Sequence, residues 1–158
     1  YWKFDEGVGM NAFDSSGYLY AVDRNSSTIG KFDASGNKST FASGSLGIRC
    51  LAFDSQDNLY VSYEGQQNSI MKYDPSGNGT VFAVGPDTQI FYGLAFGSGD
   101  NLYVANYRDN VITKFDSSGN MSTVAGVQSP IGIAIQIPEP ASLLLLGLGT
   151  VIIRKSRA

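Results

Sequence analysis

The chain has 158 residues, of which 42% are apolar and 12% aromatic, a composition typical of a globular domain. Its net charge of −3 and its pI near 4.7 leave no basic surface to neutralise phosphates, which argues against nucleic acid as a partner. The sequence contains no His, which excludes His-dependent hydrolase or lyase chemistry in these residues. Without a His to activate it, the single Cys50 is interpreted as a small buried residue.

Two short phrases recur three times along the chain. The first contains Ala-Phe followed by Leu-Tyr, and its Phe13, Phe53 and Phe96 lie 40 and 43 residues apart. The second, Lys-(Phe/Tyr)-Asp-x-Ser-Gly-Asn, begins at Lys31, Lys72 and Lys114. A period of roughly 40–50 residues built of short strands is typical of a propeller-type array.

The middle copy shows how each repeat divides into four strands. They are predicted at residues 50–53, 58–63, 69–73 and 80–84. Asp54 and Asp74 open the turns between them, where a carboxylate can accept backbone N–H bonds. Three residues after the opening Asp of four such turns, the positive φ is supplied by a glycine: Gly17, Gly36, Gly77 and Gly119. Each repeat is therefore predicted to be one antiparallel four-stranded blade.

The predicted fold is an all-β propeller of three blades and one further strand. The blades cover residues 10–45, 46–89 and 90–129, and the first strand of a fourth covers 130–136. Residues 1–9 are interpreted as the remnant of an earlier blade, because Lys3-Phe4-Asp5 repeats the second phrase. A ring takes at least four blades and the chain begins with Tyr1, so we expect further blades upstream.

The repeat phrases carry a family resemblance. The pattern Leu-Ala-Phe-Asp, Asn-Leu-Tyr-Val and Lys-Phe-Asp-x-x-Gly-Asn resembles the NHL-type and gluconolactonase-like six-bladed β-propellers, over about residues 10–136. WD-type repeats match less well, because no Gly-His or Trp-Asp pair recurs.

The composition changes abruptly after Gln136. Pro138, Glu139 and Pro140 break any strand, residues 141–153 are almost wholly apolar, and three basic residues close the chain: Arg154, Lys155 and Arg157. As a helix, the 13 residues 141–153 would span roughly 20 Å against a hydrocarbon core of ~30 Å. That length is marginal for a membrane span and typical of a processing signal, although a buried terminal strand or core helix is an alternative.

This arrangement closely resembles the PEP-CTERM sorting signal of exported Gram-negative bacterial proteins. The resemblance implies that an exosortase reads Pro138, Glu139 and Pro140, while the basic end holds the 141–153 segment in the inner membrane. The expected life history is export, transient membrane anchoring, cleavage, and release or attachment at the cell surface or extracellular matrix.

Propellers bind ligands at one mouth of the channel, on the loops joining strand four to strand one and strand two to strand three. Ten residues are predicted there: Asp23, Arg24, Arg49, Tyr63, Glu64, Phe91, Tyr92, Asn106, Tyr107 and Arg108. One hypothesis takes the exposed aromatic rings among them, with the neighbouring arginines, as a surface that binds extracellular carbohydrate or protein. Alternatively, the oxygens of Asp23 and Asn106 would hold a calcium-like ion in a lactonase-like hydrolase.

The favoured interpretation is a non-enzymatic, exported binding module without a cofactor. The runner-up is the divalent-metal-dependent lactonase-like hydrolase, and a passive structural spacer is a third possibility. In a simpler interpretation, the polar residues at the strand ends are there because water is there.

Overall fold

The computed structural model describes residues 11–23, 26–44, 47–64, 68–85 and 89–136. Within these ranges it contains twelve strands, numbered in chain order: β1 Asn11–Phe13, β2 Leu19–Asp23, β3 Thr28–Phe32, β4 Lys38–Ser43, β5 Ile48–Phe53, β6 Leu59–Tyr63, β7 Ser69–Tyr73, β8 Gly79–Val84, β9 Phe91–Phe96, β10 Leu102–Asn106, β11 Val111–Phe115 and β12 Met121–Gly126. A single 3₁₀ turn, Ser98–Asp100, is described between β9 and β10.

The strands form three antiparallel sheets of four, each made of consecutive strands. We call β1–β4 blade 1, β5–β8 blade 2 and β9–β12 blade 3. This confirms the predicted all-β architecture of four-stranded blades. The strands predicted in the middle copy differ from β5–β8 by no more than two residues at either end.

The hairpin turns have the chemistry predicted for them. Asp54 Oδ1 accepts N–H bonds from Gln56 and Asn58 at 3.0 and 2.8 Å, and the Asn58 side-chain amide donates to Oδ2 at 2.8 Å. The same three bonds recur at the turns that begin at Asp33, Asp74 and Asp116. The four glycines predicted to have a positive φ have values from 81° to 89°. Local side-chain chemistry therefore defines these turns.

The core lies between the blades. One buried cluster joins blades 1 and 2, and a second joins blades 2 and 3. In the second cluster the ring of Tyr60 meets Phe82 and Phe96 edge-on at centroid distances of 5.0 and 4.8 Å. Cys50, buried as predicted, accepts an N–H bond from Leu94 at 3.3 Å and so connects the inner strands β5 and β9. Blade stacking thus buries apolar surface that a single blade would expose.

The segment predicted as the first strand of a fourth blade differs from the expectation. Residues 131–136 are not assigned to a strand, although half-buried Ile133 and Ile135 alternate with exposed neighbours. The segment runs close to β9, because a Cβ added to Gly93 would come within 2.8 Å of the Gly132 Cα. No described strand forms a ladder with it, and strand assignment requires such a ladder.

Several predicted features lie outside the described residues. They are the remnant at 1–9, Arg24, the Pro138-Glu139-Pro140 motif, the apolar segment 141–153 and the basic end. In the part of the chain that the structure describes, no helix has the length and hydrophobicity needed to cross a membrane.

Candidate functional site: a rim between blades 2 and 3

The inner strands of blades 2 and 3 both begin with a β-bulge. In β5, Ile48 pairs with Tyr63 and Cys50 with Ser62, so that Arg49 is the extra residue. In β9, the bulge leaves Tyr92 and Gly93 opposite a single residue of β10. A bulge re-aims the side chain that it carries and is common at rims and beside binding sites. Arg49 and Tyr92 therefore occupy equivalent positions at the same end of adjacent blades.

In both blades, a backbone hydrogen bond holds the residue that follows the second strand, Glu64 in blade 2 and Tyr107 in blade 3. The Glu64 N–H donates to the Gly47 carbonyl at 2.8 Å, and the Tyr107 N–H donates to the Ile90 carbonyl at 2.9 Å. Gly47 has a φ of +96°, and a Cβ at this position would overlap the Glu64 carbonyl. The backbone thus fixes Glu64 beside Arg49, and Tyr107 beside Tyr92.

These four side chains form one continuous cluster. Arg49 forms an ion pair with Glu64, and its guanidinium carbon lies 5.0 Å from the centroid of the Tyr92 ring. The ring of Tyr92 in turn meets Tyr107 at 5.2 Å and 77°. We call Glu64, Arg49, Tyr92 and Tyr107 the rim cluster. Blade 2 contributes its ion pair and blade 3 its aromatic pair, and they join through a cation–π contact worth about 0.5–1 kcal/mol at an exposed site.

A polar network supports the turn that carries Tyr107. The Asp109 carboxylate accepts hydrogen bonds from the side-chain amides of Gln89 and Asn106 at 2.8 and 2.9 Å. Asn106 is fully buried at the end of β10, while Gln89 lies just before β9. The network therefore ties both strand ends of blade 3 to one turn. Asp109 was not among the predicted site residues, because its bond to Gln89, twenty positions away, forms only when the blade folds.

Two predicted mouth residues lie in the core, so the expectation that they are exposed was wrong. Tyr63 and Phe91 are 5% and 0% exposed. The Tyr63 hydroxyl contacts the Tyr73 hydroxyl at 3.0 Å, and burial raises the pKa of Tyr63. Phe91 packs against Phe115 at a ring distance of 6.0 Å. Phe91 directly precedes the bulge of β9, which aims the next residue, Tyr92, at the rim. Tyr63 lies on the unbulged strand β6, where it pairs with Ile48.

The two candidate metal ligands are each engaged within their own blade. The Asp23 carboxylate lies 3.4 Å from the Lys38 ammonium and accepts the Ser26 N–H at 3.2 Å, both in blade 1. Asn106 contacts Asp109 in blade 3. Across the described ranges, no group of three or more His, Cys, Asp or Glu side chains is placed to hold a metal ion. The metal site stays a prediction.

The rim also includes Ile131, which was not among the predicted site residues. Ile131 is 70% exposed and occupies the position equivalent to Arg49 and Tyr92, since Ile131-Gly-Ile-Ala aligns with Tyr92-Gly-Leu-Ala. That alignment was visible in the sequence and would have identified Ile131. Arg108, next to Tyr107, is exposed.

Solved structures show the same fold at low sequence identity. The chain matches virginiamycin B lyase from Staphylococcus aureus with a TM-score of 0.61 and 21% identity, over 72% of this chain and 39% of that one. It matches an auxiliary nutrient binding protein from Bacteroides thetaiotaomicron with a TM-score of 0.68 and 15% identity, over 85% and 34% of the two chains. A putative gluconolactonase gives a TM-score of 0.57 and 16% identity, over 74% and 48%. The chain spans less than half the length of each of these propellers.

A family model for the PEP-CTERM protein-sorting motif matches residues 136–157. The chain is a β-propeller with a PEP-CTERM sorting motif. The motif is a substrate signal for an exosortase, and it implies an exported precursor that is anchored in the membrane. No curated protein matches the PEP-CTERM propeller. At these identities, the likeness to the solved structures shows the fold alone.

Proposed function

We propose that this PEP-CTERM propeller is a binding module that acts at the cell surface or in the extracellular matrix of a Gram-negative bacterium, after an exosortase has processed its C-terminus. The sorting motif supports export, and the rim cluster is the observation that carries the binding role. The NHL-type assignment of the repeats and the transient span at 141–153 belong to the same proposal.

The composition of the rim cluster supports a contact surface. Tyrosine and arginine are enriched where proteins meet their ligands, because they offer large contact area together with polar groups. Tyr107 is 37% exposed, and its neighbours in the cluster are held by strand ladders and bulges. A surface built on rigid strands loses little conformational entropy when it binds.

A pull-down with extracellular matrix from the source cells tests the proposal. The full chain should be retained by the matrix, and Tyr92→Ala and Tyr107→Ala should each reduce retention. Tyr18→Ala is the matched control, because Tyr18 is as exposed as Tyr107 but lies on a hairpin turn at the other end of the blades. Retention that survives both rim substitutions would reject the rim as the contact surface.

The lactonase-like hydrolase stays a prediction that no contact among the described residues specifically favours. If the chain is such a hydrolase, it should hydrolyse a lactone and lose this activity in the presence of a chelator. Its thermal stability should also rise when Ca²⁺ or Zn²⁺ is added. A binding module without a metal should show neither effect.

A further inference from the structure

The rim cluster presents two kinds of chemistry side by side. Tyr107 offers a partly open aromatic ring, while Arg49 and Glu64 offer hydrogen-bond donors and acceptors on the other side of Tyr92. A matching ligand has an apolar face for the ring and hydroxyl groups for the charged pair. A pyranose ring has this form, since its C–H bonds cluster on one face and its hydroxyls lie around the edge.

The charge of the rim argues against an acidic ligand. Arg49 is already compensated by Glu64, and the nearby Arg108 and Asp109 also carry opposite charges. The whole chain has a net charge of −3. A uronate or phosphate polymer would meet no excess of positive charge here and would be repelled at long range. Neutral hydroxyl groups, by contrast, can form charge-assisted hydrogen bonds with both members of the ion pair.

The surface also extends from blade to blade. Arg49, Tyr92 and Ile131 are equivalent residues on successive inner strands or strand-like segments, and Ile131 is largely exposed. A single sugar can cover the contact between Arg49 and Tyr92, whereas an oligosaccharide can in addition contact Ile131 on the next segment. The geometry therefore favours a chain of sugars over a monosaccharide.

We infer that the rim cluster binds a neutral polysaccharide, with Tyr107 and Tyr92 against the sugar rings and Arg49 and Glu64 bonded to hydroxyl groups. This inference rests on the proposed function and names its ligand class. A matrix protein is the competing partner, and the experiment treats it as a separate outcome.

The test uses the full chain and isothermal titration with four probes of matched length: oligosaccharides of glucan, mannan and galactan, and oligogalacturonate. At least one neutral probe should bind. Tyr107→Ala should weaken that binding about tenfold, equal to ~1.4 kcal/mol, while Tyr18→Ala changes it less than about twofold. High salt should leave the affinity nearly unchanged, because a neutral ligand displaces no counterions.

A second variant, Glu64→Gln, removes the negative charge that compensates Arg49 while keeping a side chain of the same size at position 64. The preference of the variant should shift toward oligogalacturonate relative to the neutral probe, because Arg49 then lacks its compensating carboxylate. Failure of all neutral probes, a preference of the wild type for oligogalacturonate, or neutral binding that Tyr107→Ala does not weaken would each overturn the inference.

The two proposals can fail separately. If no sugar binds but the protein fraction of the matrix retains the chain through Tyr92 and Tyr107, the ligand class is wrong and the binding module stands. If neither sugars nor matrix retain the chain, both proposals are wrong.

Discussion

Asp100 of blade 3 accepts hydrogen bonds from both the backbone N–H and the hydroxyl of Ser55 in blade 2, at 3.1 and 2.8 Å. Asp57 of blade 2 holds Ser15 of blade 1 through the same two bonds. We call each pair a blade clip. Both aspartates have a positive φ, 60° at Asp57 and 52° at Asp100, in a region that non-glycine residues seldom adopt. The carboxylate that joins two blades explains why an Asp occupies this turn position.

Loss of one clip should weaken the junction between blades 2 and 3. Ser55→Ala removes the hydroxyl bond to Asp100, and we expect it to lower the free energy of unfolding by about 1 kcal/mol. Urea denaturation measures this change. Ser98→Ala is the control, because Ser98 is the equivalent residue of blade 3 and no described residue of a further blade bonds its hydroxyl. Equal losses in the two variants would contradict the role of the clip.

The stability should fall in acid. Hydrogen bonds from Gln56 and Ser55 lower the pKa of Asp100, and the side-chain amides of the turn asparagines lower the pKa of Asp33, Asp74 and Asp116. A carboxylate whose pKa is lower in the folded state stabilises the fold above its unfolded pKa of about 3.9. This contribution is lost as the pH falls through the folded pKa. Melting temperatures measured from neutral pH to about pH 3 should decline most steeply below about pH 4. Asp100→Asn should make the fall of the melting temperature with pH less steep. An unchanged pH profile would show that Asp100 does not contribute to the acid sensitivity.

Substitutions at two turn glycines distinguish the cost of backbone strain from the cost of a steric clash between blades. Gly36 and Gly77 have φ values of +81° and +89°, so Ala at either position should cost roughly 1–2 kcal/mol. A Cβ at Gly77 would also come within 2.6 Å of the Phe41 carbonyl in blade 1, whereas nothing lies within 4 Å at Gly36. Gly77→Ala should therefore lower the melting temperature clearly more than Gly36→Ala. Similar melting temperatures would show that the two blades separate easily at this point.

A side chain in the aromatic cluster between blades 2 and 3 should contribute more to the free energy of unfolding than the equivalent side chain of blade 3, which no described blade covers. Phe82 is the bulge residue opposite β7 and lies between Tyr60 and Phe115, at ring distances of 5.0 and 6.0 Å. Because Phe82 is only partly buried, Phe82→Ala should cost about 2–4 kcal/mol in chemical denaturation. Val124, its equivalent in blade 3, is 52% exposed, and Val124→Ala should change stability by less than about 0.5 kcal/mol.

C-terminal processing of the protein in cells should depend on Glu139 of the sorting motif. Glu139→Gln should block processing and leave a larger precursor in the membrane fraction, since Glu139 is the charged residue of the motif. A blot of membrane and extracellular fractions measures this. Glu6→Gln, which changes a glutamate outside the motif, should be processed normally. Unchanged processing of the Glu139 variant would count against exosortase recognition of this residue.

The sequence by itself determined the features that depend on near neighbours. Repeated phrases predicted three blades, and an Asp followed three residues later by a Gly predicted four of the hairpin turns. A carboxylate at the first residue and a positive φ three residues later suffice to close such a turn. The C-terminal motif was readable for the same reason, as it lies in one continuous segment.

The tertiary structure alone decided which residues meet. The blade clips join residues 42 and 45 positions apart, and no local pattern pairs them. At the rim, simple alternation cannot show where a bulge shifts the phase of a strand. The bulge in β9 leaves Phe91 in the core and aims Tyr92 at the rim, and the bulge in β5 aims Arg49 at the same rim. Tyr63 is buried because β6 is covered along its whole length. Long-range register, set by how one blade packs on the next, thus decided the candidate site.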